Sequence, residues 1–419
     1  MPRFANWART VVTRPAEKHA PGSEAEVCER VHAARGRRVR VVGAGHSWSR
    51  INAPEDVWFT LDRLSGVIAR DRDEVTVHGG TRLGALLTEL GDATLPIVGS
   101  ISAQSIAGLI ATGTHGSSLV HGNLASLVTR LRIVDGRGEV HELDERDPRF
   151  EGVRVHLGAL GVVTAVTLKI EPAFQLAEEV THVAIDELPD ALAGIAASSE
   201  YVKVWWMPHY QRAQIFRYVR TTDPTTGNPR RKRWLDDHVL HRFAFPLVAR
   251  MARVPGLVGP ISRAVAHSFL GPRRVGPSAL ILSTPMPFRH RETEAALPLA
   301  RAGEAVARLA RVIETRFRIN FPMELRFVRG DAAWLSPAYG ADTCQIGAYC
   351  QGAGSDAYFA AFWRELRALG ARPHWGKELD HTAGEVRALW PELPKFLALR
   401  DELDPERVFA SEFHTRVLG

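Results

Sequence analysis

The chain has 419 residues, enough for two domains that each bury a core. Apolar residues make up 45% and charged residues 24%, and the formal net charge of +6 suits an anionic cofactor. The excess arginines are scattered, which argues against a nucleic-acid stripe; the cysteines Cys28, Cys344 and Cys350 lack metal-ligand spacing, which argues against a disulfide framework and a zinc site.

From Met1 to Trp7 there is no apolar h-region, and no later apolar run nears the roughly 20 residues of a membrane span. A reducing cytoplasm is the expected setting. Ser23 is positioned to cap a helix from Glu24 to Ala34, with Val27, Val31 and Ala34 as its apolar stripe. Val39 and Val41 then alternate with basic residues as a strand. It breaks into Val42-Gly43-Ala44-Gly45-His46-Ser47-Trp48, where two glycines let backbone N–H groups approach a ligand and form an anion-binding nest. The fingerprint Gly-x-Gly-x-x-Gly is not completed, because Trp48 stands at its third glycine. His46 reads either as a nucleophile or metal ligand, or as a surface histidine on a glycine turn.

Strands are expected from Val57 to Leu61 and Glu74 to His78, and an amphipathic helix from Thr81 to Leu90. Gly99 to Ser118 is dense in Gly, Ser, Thr and Ala, which suits wrapping of a large polar cofactor or, equally, a small-residue helix packed on a sheet. A strand from Leu127 to Val134, a tight turn at Asp135-Gly136 and a strand from Glu139 to Leu143 follow. Gly158 and Gly161 precede a strand from Val162 to Ile170, and a domain boundary is expected near Pro172. Val204 to His209 is an aromatic strand end.

Residues 221–290 read as an insertion. It opens with a solvated basic loop, Arg230-Arg231-Lys232-Arg233. An apolar helical stretch from Trp234 to Leu270, interrupted by arginines, reads as soluble, with peripheral membrane contact as the alternative. Beyond a helix from Leu299 to Thr315, Met323, Leu325 and Phe327 alternate with Glu324 and Arg326. On a strand those two charged side chains share one face about 7 Å apart. They are positioned to hold and deprotonate a hydroxyl and stabilise negative charge, or they form a surface ion pair. A helix from Ala357 to Leu369 leads to Arg372-Pro373-His374-Trp375-Gly376-Lys377, which gathers an imidazole, an indole and an ammonium.

Taken in order, Val42 to Ser47, Thr112-Gly113-Thr114-His115-Gly116, Gly158 to Thr164, Pro322 to Phe327 and Arg372 to Lys377 resemble the vanillyl-alcohol-oxidase-type FAD family. More narrowly they resemble its sugar-1,4-lactone oxidoreductases, the L-gulono- and D-arabinono-1,4-lactone oxidases. The resemblance runs along nearly the whole chain and is weakest over 221–290. It implies an α+β protein. A PCMH-type FAD-binding domain would span residues 1–172, completed by 371–419, and an α+β substrate domain 173–370. FAD would be held by Val42, Gly43, Ala44, Gly45, His46, Ser47, Ser100, Ser105, Ala107, Gly108, Thr112, Gly113, Thr114, His115, Gly116, Gly158, Gly161, Val162, His374 and Lys377, with His46 bonded to the flavin. Ala107 would gate oxygen.

By the same resemblance Glu324, Arg326 and Lys377 carry catalysis, no metal takes part, and the substrate is a sugar lactone. Oxygen, giving hydrogen peroxide, or another acceptor would take the electrons. The alternatives are an alditol (polyol) oxidase with the same motifs and, in another class, a flavin- or nucleic-acid-binding protein without turnover. The chain departs from the family pattern at Tyr349, near which some relatives have an active-site histidine, and at Ser411, where they usually have asparagine.

Overall fold

The computed structural model describes residues 1–227, 256–268, 273–283, 288–319, 321–352 and 354–419, with Trp234, Leu247, Met251 and Val254 singly between the first two spans. The basic run Arg230 to Arg233 and most of the stretch from Trp234 to Leu270 fall outside them; the helix Val258–Ser268 falls inside. Among the described residues no helix is long and apolar enough to cross a membrane.

Two larger sheets, with two two-stranded ones beside them, form the N-terminal part. In one, Glu17–His19, Val57–Thr60 and Val39–Val42 run parallel. The other has five antiparallel strands in the order Val140–Asp144, Val128–Val134, Val162–Lys169, Glu74–His78, Val67–Arg70. Its central strand Val162–Lys169 is buried on both faces up to its last residue, as a continuous apolar run demands. Its neighbour Glu74–His78 buries only Val75 and Val77, the alternation of a half-covered strand. The C-terminal residues close this part: Val408 and Phe409 share a core with Val27, Val31 and Val57, and Val39 N donates to Val408 O at 2.7 Å.

The rest is built on an eight-stranded antiparallel sheet: Arg274–Pro277, Gln175–Ala184, Arg212–Thr221, Tyr201–Trp206, Met323–Val328, Thr343–Cys350, Arg291–Pro298, Arg372–Pro373. Alternation gives it two unlike faces. Val204, Trp206, Leu325, Phe327, Ile346, Ala295 and Leu297 join one apolar core with the helices Leu188–Ala196, Ala302–Arg316 and Ser355–Arg367. The intervening residues carry charge and face the other way.

Several expected boundaries move for local reasons. The helix expected from Thr81 starts at Leu83, because the Thr81 hydroxyl is taken up by Gly66, accepting from its N at 3.0 Å and donating to its O at 3.2 Å. The turn at Asp135-Gly136 is a five-residue loop, 135–139, in which the Asp135 carboxylate accepts from Arg137 N and Glu139 N. Leu299–Arg301 is a 3-10 turn before the helix Ala302–Arg316.

Candidate active site

The strand Val39–Val42 delivers the glycine turn against the start of the short helix Ile106–Ala111. Approach is so close that a Cβ on Gly43 would lie 1.9 Å from Ser105 Oγ. Gly45 has φ +68°, the left-handed region that glycine enters freely. Two residues with no functional signal in the sequence clasp the turn from outside: Asn6 Nδ2 donates to Ser47 O at 3.0 Å and Trp7 N to Gly45 O at 2.8 Å. The Trp7 indole stacks on His46, ring centroids 5.7 Å apart.

Two cavities meet at this turn. The narrower, about 540 Å³, is lined by Val42 to Ser47, Ser105, Gly108, Gly158 and also Arg40. The wider, about 820 Å³, is lined by His46, Ser47, Ser100, Thr112, Thr114, His115, Glu324, Arg326, His374 and Lys377. His46, Ser47, Gln104 and Thr112 line both, so one elongated ligand can run from one into the other. Ala107, Gly113, Gly116, Gly161 and Val162 line neither. Ala107 N donates to Gly79 O at 2.9 Å, a Cβ on Gly161 would meet Val134 O at 2.4 Å, and Val162 belongs to the core around Val27.

The narrower cavity fits a phosphate-bearing cofactor. Ser105 Oγ and His46 Nδ1 are buried without a hydrogen-bond partner among the described residues. Arg40 is a buried cation that bonds only carbonyls and the His414 ring, with no carboxylate in contact among those residues. Burial pushes its guanidinium down to about 10. Only the more distant Glu55 and Asp404 carboxylates offset this buried charge, and an anionic ligand in contact would lower its cost further. Burial, aided by the Arg82 and Lys377 charges, also pushes the His46 imidazole down to about 4, so it is neutral with a lone pair at neutral pH.

The chemistry-bearing wall is the charged face of the eight-stranded sheet. Cross-strand pairing puts Glu294, Gly347, Glu324 and Trp205 on one rung, flanked by Glu292 beside Tyr349 on one side and Arg326 beside Lys203 on the other. Gly347 carries no side chain, and the Tyr349 ring takes the space between the two carboxylates, its OH 3.3 Å from where a Cβ on Gly347 would stand. Arg326 does not stand 7 Å from Glu324 at its tip: Nη2 reaches Glu324 Oε2 at 2.7 Å and Ser100 Oγ at 2.6 Å. Glu324 also accepts from Trp205 Nε1 at 2.9 Å and Tyr349 OH at 3.0 Å, with Lys203 Nζ at 3.5 Å. Burial alone would raise the Glu324 carboxyl, but the Arg326 and Lys203 charges outweigh it and hold it at about 2.

Each of the other buried acids has its own cation. Lys377 Nζ lies 2.5 Å from Glu292 Oε1 and 4.3 Å from the Trp48 ring centre. His115 Nε2 lies 2.5 Å from Glu294 Oε1. Against the burial that would raise them, these partners hold both carboxyls below the usual range. His374 accepts from Gly376 N at 3.0 Å, and burial pushes it down to about 4. The structure thus gathers Glu324, Arg326, Lys377, His46 and Ser100 at one cavity. It adds Lys203 behind that wall and Trp7, Trp48, Trp205, His290, Glu292 and Glu294 on it, none singled out from the sequence as site residues, and Tyr349, marked there only as a departure from the family pattern. A signal for some was present: Glu292 and Glu294 alternate on a strand that is otherwise buried, as do Lys203 and Trp205.

The D-arabinono-1,4-lactone oxidase family matches residues 166–417, and the FAD binding domain family matches residues 15–144. An L-gulono-1,4-lactone dehydrogenase of Mycobacterium tuberculosis is 32% identical over 100% of this chain and 99% of its own length. An alditol oxidase of a Streptomyces species is 31% identical, with 97% of each chain covered. Among solved structures, a cholesterol oxidase from B. sterolicum superposes with a TM-score of 0.85 at 18% identity, covering 100% of this chain and 96% of that one, a likeness of fold. Family match, full-length relatives and the paired cavities converge on one assignment: the chain belongs to the D-arabinono-1,4-lactone oxidase family of FAD-dependent oxidoreductases.

Proposed function

We propose that the protein oxidises a secondary alcohol of a sugar 1,4-lactone. The observation that carries this reading is the buried Glu324–Arg326 pair, which faces a cavity continuous with the one below His46. Bound FAD supplies the hydride acceptor, with oxygen, giving hydrogen peroxide, or another acceptor taking the electrons on. Glu324, held ionised, accepts a hydrogen bond from a substrate hydroxyl beside the reacting carbinol and so fixes that carbinol's oxygen and carbon. Arg326 stabilises the negative charge that grows on that oxygen. Lys377, its ammonium balanced by Glu292, is the remaining cation on the wall and polarises the cofactor ring or a substrate oxygen.

His46 serves as the covalent tether for FAD; its neutral, buried and unpartnered Nδ1 supports that role. The cofactor's phosphates would lie in the narrower cavity, near Arg40, Ser105 and the glycine turn. The domain division at about residue 172, with the C-terminal residues returning to the first part, is supported by the core shared between Val408, Phe409 and Val27. Three free cysteines suit a reducing cytoplasm.

The second reading, an alditol oxidase, is favoured by the full-length likeness to one. Anaerobic mixing of the holoenzyme with L-gulono- and D-arabinono-1,4-lactones and with a set of open-chain polyols decides between them. Bleaching of the flavin by a lactone is the expected result. Bleaching only by a polyol supports the alternative, and bleaching by neither rejects both.

A further inference from the structure

One ring on the wall of the wider cavity has a buried nitrogen without a hydrogen-bond partner among the described residues. His290 is 5% exposed, and its Nδ1 lies 2.9 Å from the carbonyl oxygen of Phe288. A carbonyl only accepts, so Nδ1 carries the hydrogen and Nε2 the lone pair. That Nε2 is buried and has no hydrogen-bond partner among the described residues. The ring cannot turn away easily. Trp7, Trp48, Phe288 and Tyr349 pack around it with ring centroids 5.3 to 5.5 Å distant, and Trp48 Nε1 donates to the His290 carbonyl at 2.8 Å.

Glu324, by contrast, is poorly suited to keep a proton. Three hydrogen-bond donors and the Lys203 ammonium already hold its two oxygens, so protonation would oppose all four. The hydroxyl proton therefore needs another acceptor on the same wall.

The geometry points to His290 as the catalytic base, a role that rests on the alcohol oxidation proposed above. The substrate O–H bond breaks and its proton passes to Nε2. The C–H bond on the same carbon breaks with its electron pair, which leaves as hydride to FAD, and the carbonyl forms. The resulting imidazolium faces Glu292, whose Oε2 lies 3.7 Å from Nε2. The charged and titratable groups around it are Glu292 on its own strand, Tyr349 on the neighbouring strand, and Lys377, which holds the far oxygen of Glu292. Glu292 is the positioning residue that stabilises the new charge; Glu324 and Arg326 hold the substrate while the proton leaves.

The test compares the wild-type holoenzyme with His290→Ala and His290→Gln by anaerobic stopped-flow reduction with a lactone. Reduction in both variants should slow by about 100-fold or more, the usual size of a general-base contribution. FAD content and the lactone's dissociation constant should change by less than about threefold, because the group acts mainly in the transition state. Added imidazole should restore the rate of His290→Ala, and leave the wild type and Glu324→Gln unmoved. A second readout needs no turnover: in flavin-free protein labelled with ¹⁵N at histidine, the Nε2 resonance that disappears in His290→Gln should be that of an unprotonated nitrogen. A variant rate within threefold of wild type, a slow His290→Ala that imidazole leaves unchanged, or a protonated Nε2 at the assay pH each overturns the assignment. Failure of the wild type to be reduced by any lactone or polyol instead rejects the reaction itself, and the nitrogen resonance still reports on the ring.

Discussion

Glu324→Gln removes one charge from the charged face of the sheet and leaves Arg326 and Lys203 buried together without their shared counter-ion. The carboxyl sits at about 2 in the folded chain against an ordinary value of 4.5. At 1.36 kcal/mol per unit, that difference is worth about 3 kcal/mol of folding stability at neutral pH. The sign follows from the direction of the shift. A folded value below the unfolded one stabilises above pH 4.5, and that stabilisation is lost as the pH falls toward 2. The variant should thus unfold at lower urea than wild type at pH 7, by about 3 kcal/mol, and the gap should narrow as the pH falls toward 2. This is in line with the roughly 3–5 kcal/mol typical of breaking a buried pair from one side. Flavin reduction should fall by about 10² to 10³, the effect of losing one preorganised polar group, with FAD still bound. Equal urea midpoints at pH 7, or an unchanged reduction rate, would refute the account of Glu324 as a buried anion that holds the substrate.

His46→Ala should release FAD into the supernatant on acid precipitation, where the wild type keeps it in the pellet; yellow supernatant from both proteins would disprove the tether. Gly43→Ala forces a Cβ to within 1.9 Å of Ser105 Oγ, so it should purify with much less FAD, read from the ratio of flavin to protein absorbance. A full complement of flavin in that variant would mean the turn has room to spare.

Much of the architecture was legible because it is periodic. Val75 and Val77, or Leu325 and Phe327, announce a half-buried strand, and Ser23 caps its helix as its hydroxyl suggests, accepting from Glu26 N at 3.1 Å. The glycine turn was legible for another reason: close approach leaves glycine as the residue that fits at Gly43. The cavity wall was legible only in part. Glu324 and Arg326 stood out because the motif around them is compact. Lys203, Glu292, Glu294 and His290 did not, since what gathers them is strand register between segments up to about 120 residues apart, as with Lys203 and Glu324. Trp7 and Asn6 carried no local pattern; their value lies in reaching across to His46 and Ser47. Ala107 shows a role lent by likeness that local pattern does not carry: its N donates to Gly79 O and it lines neither cavity, so its part as an oxygen gate stays a proposal.

Three acids that line the cavity each have a basic partner from a different stretch of chain: Lys203 for Glu324, beside Arg326 of its own strand, Lys377 for Glu292, His115 for Glu294. Natural variation at this surface is constrained accordingly. Loss of any one member strands its opposite in the interior and threatens folding before a new substrate can confer any advantage. Descendants with altered sugar preference should therefore carry exchanges at two distant positions together.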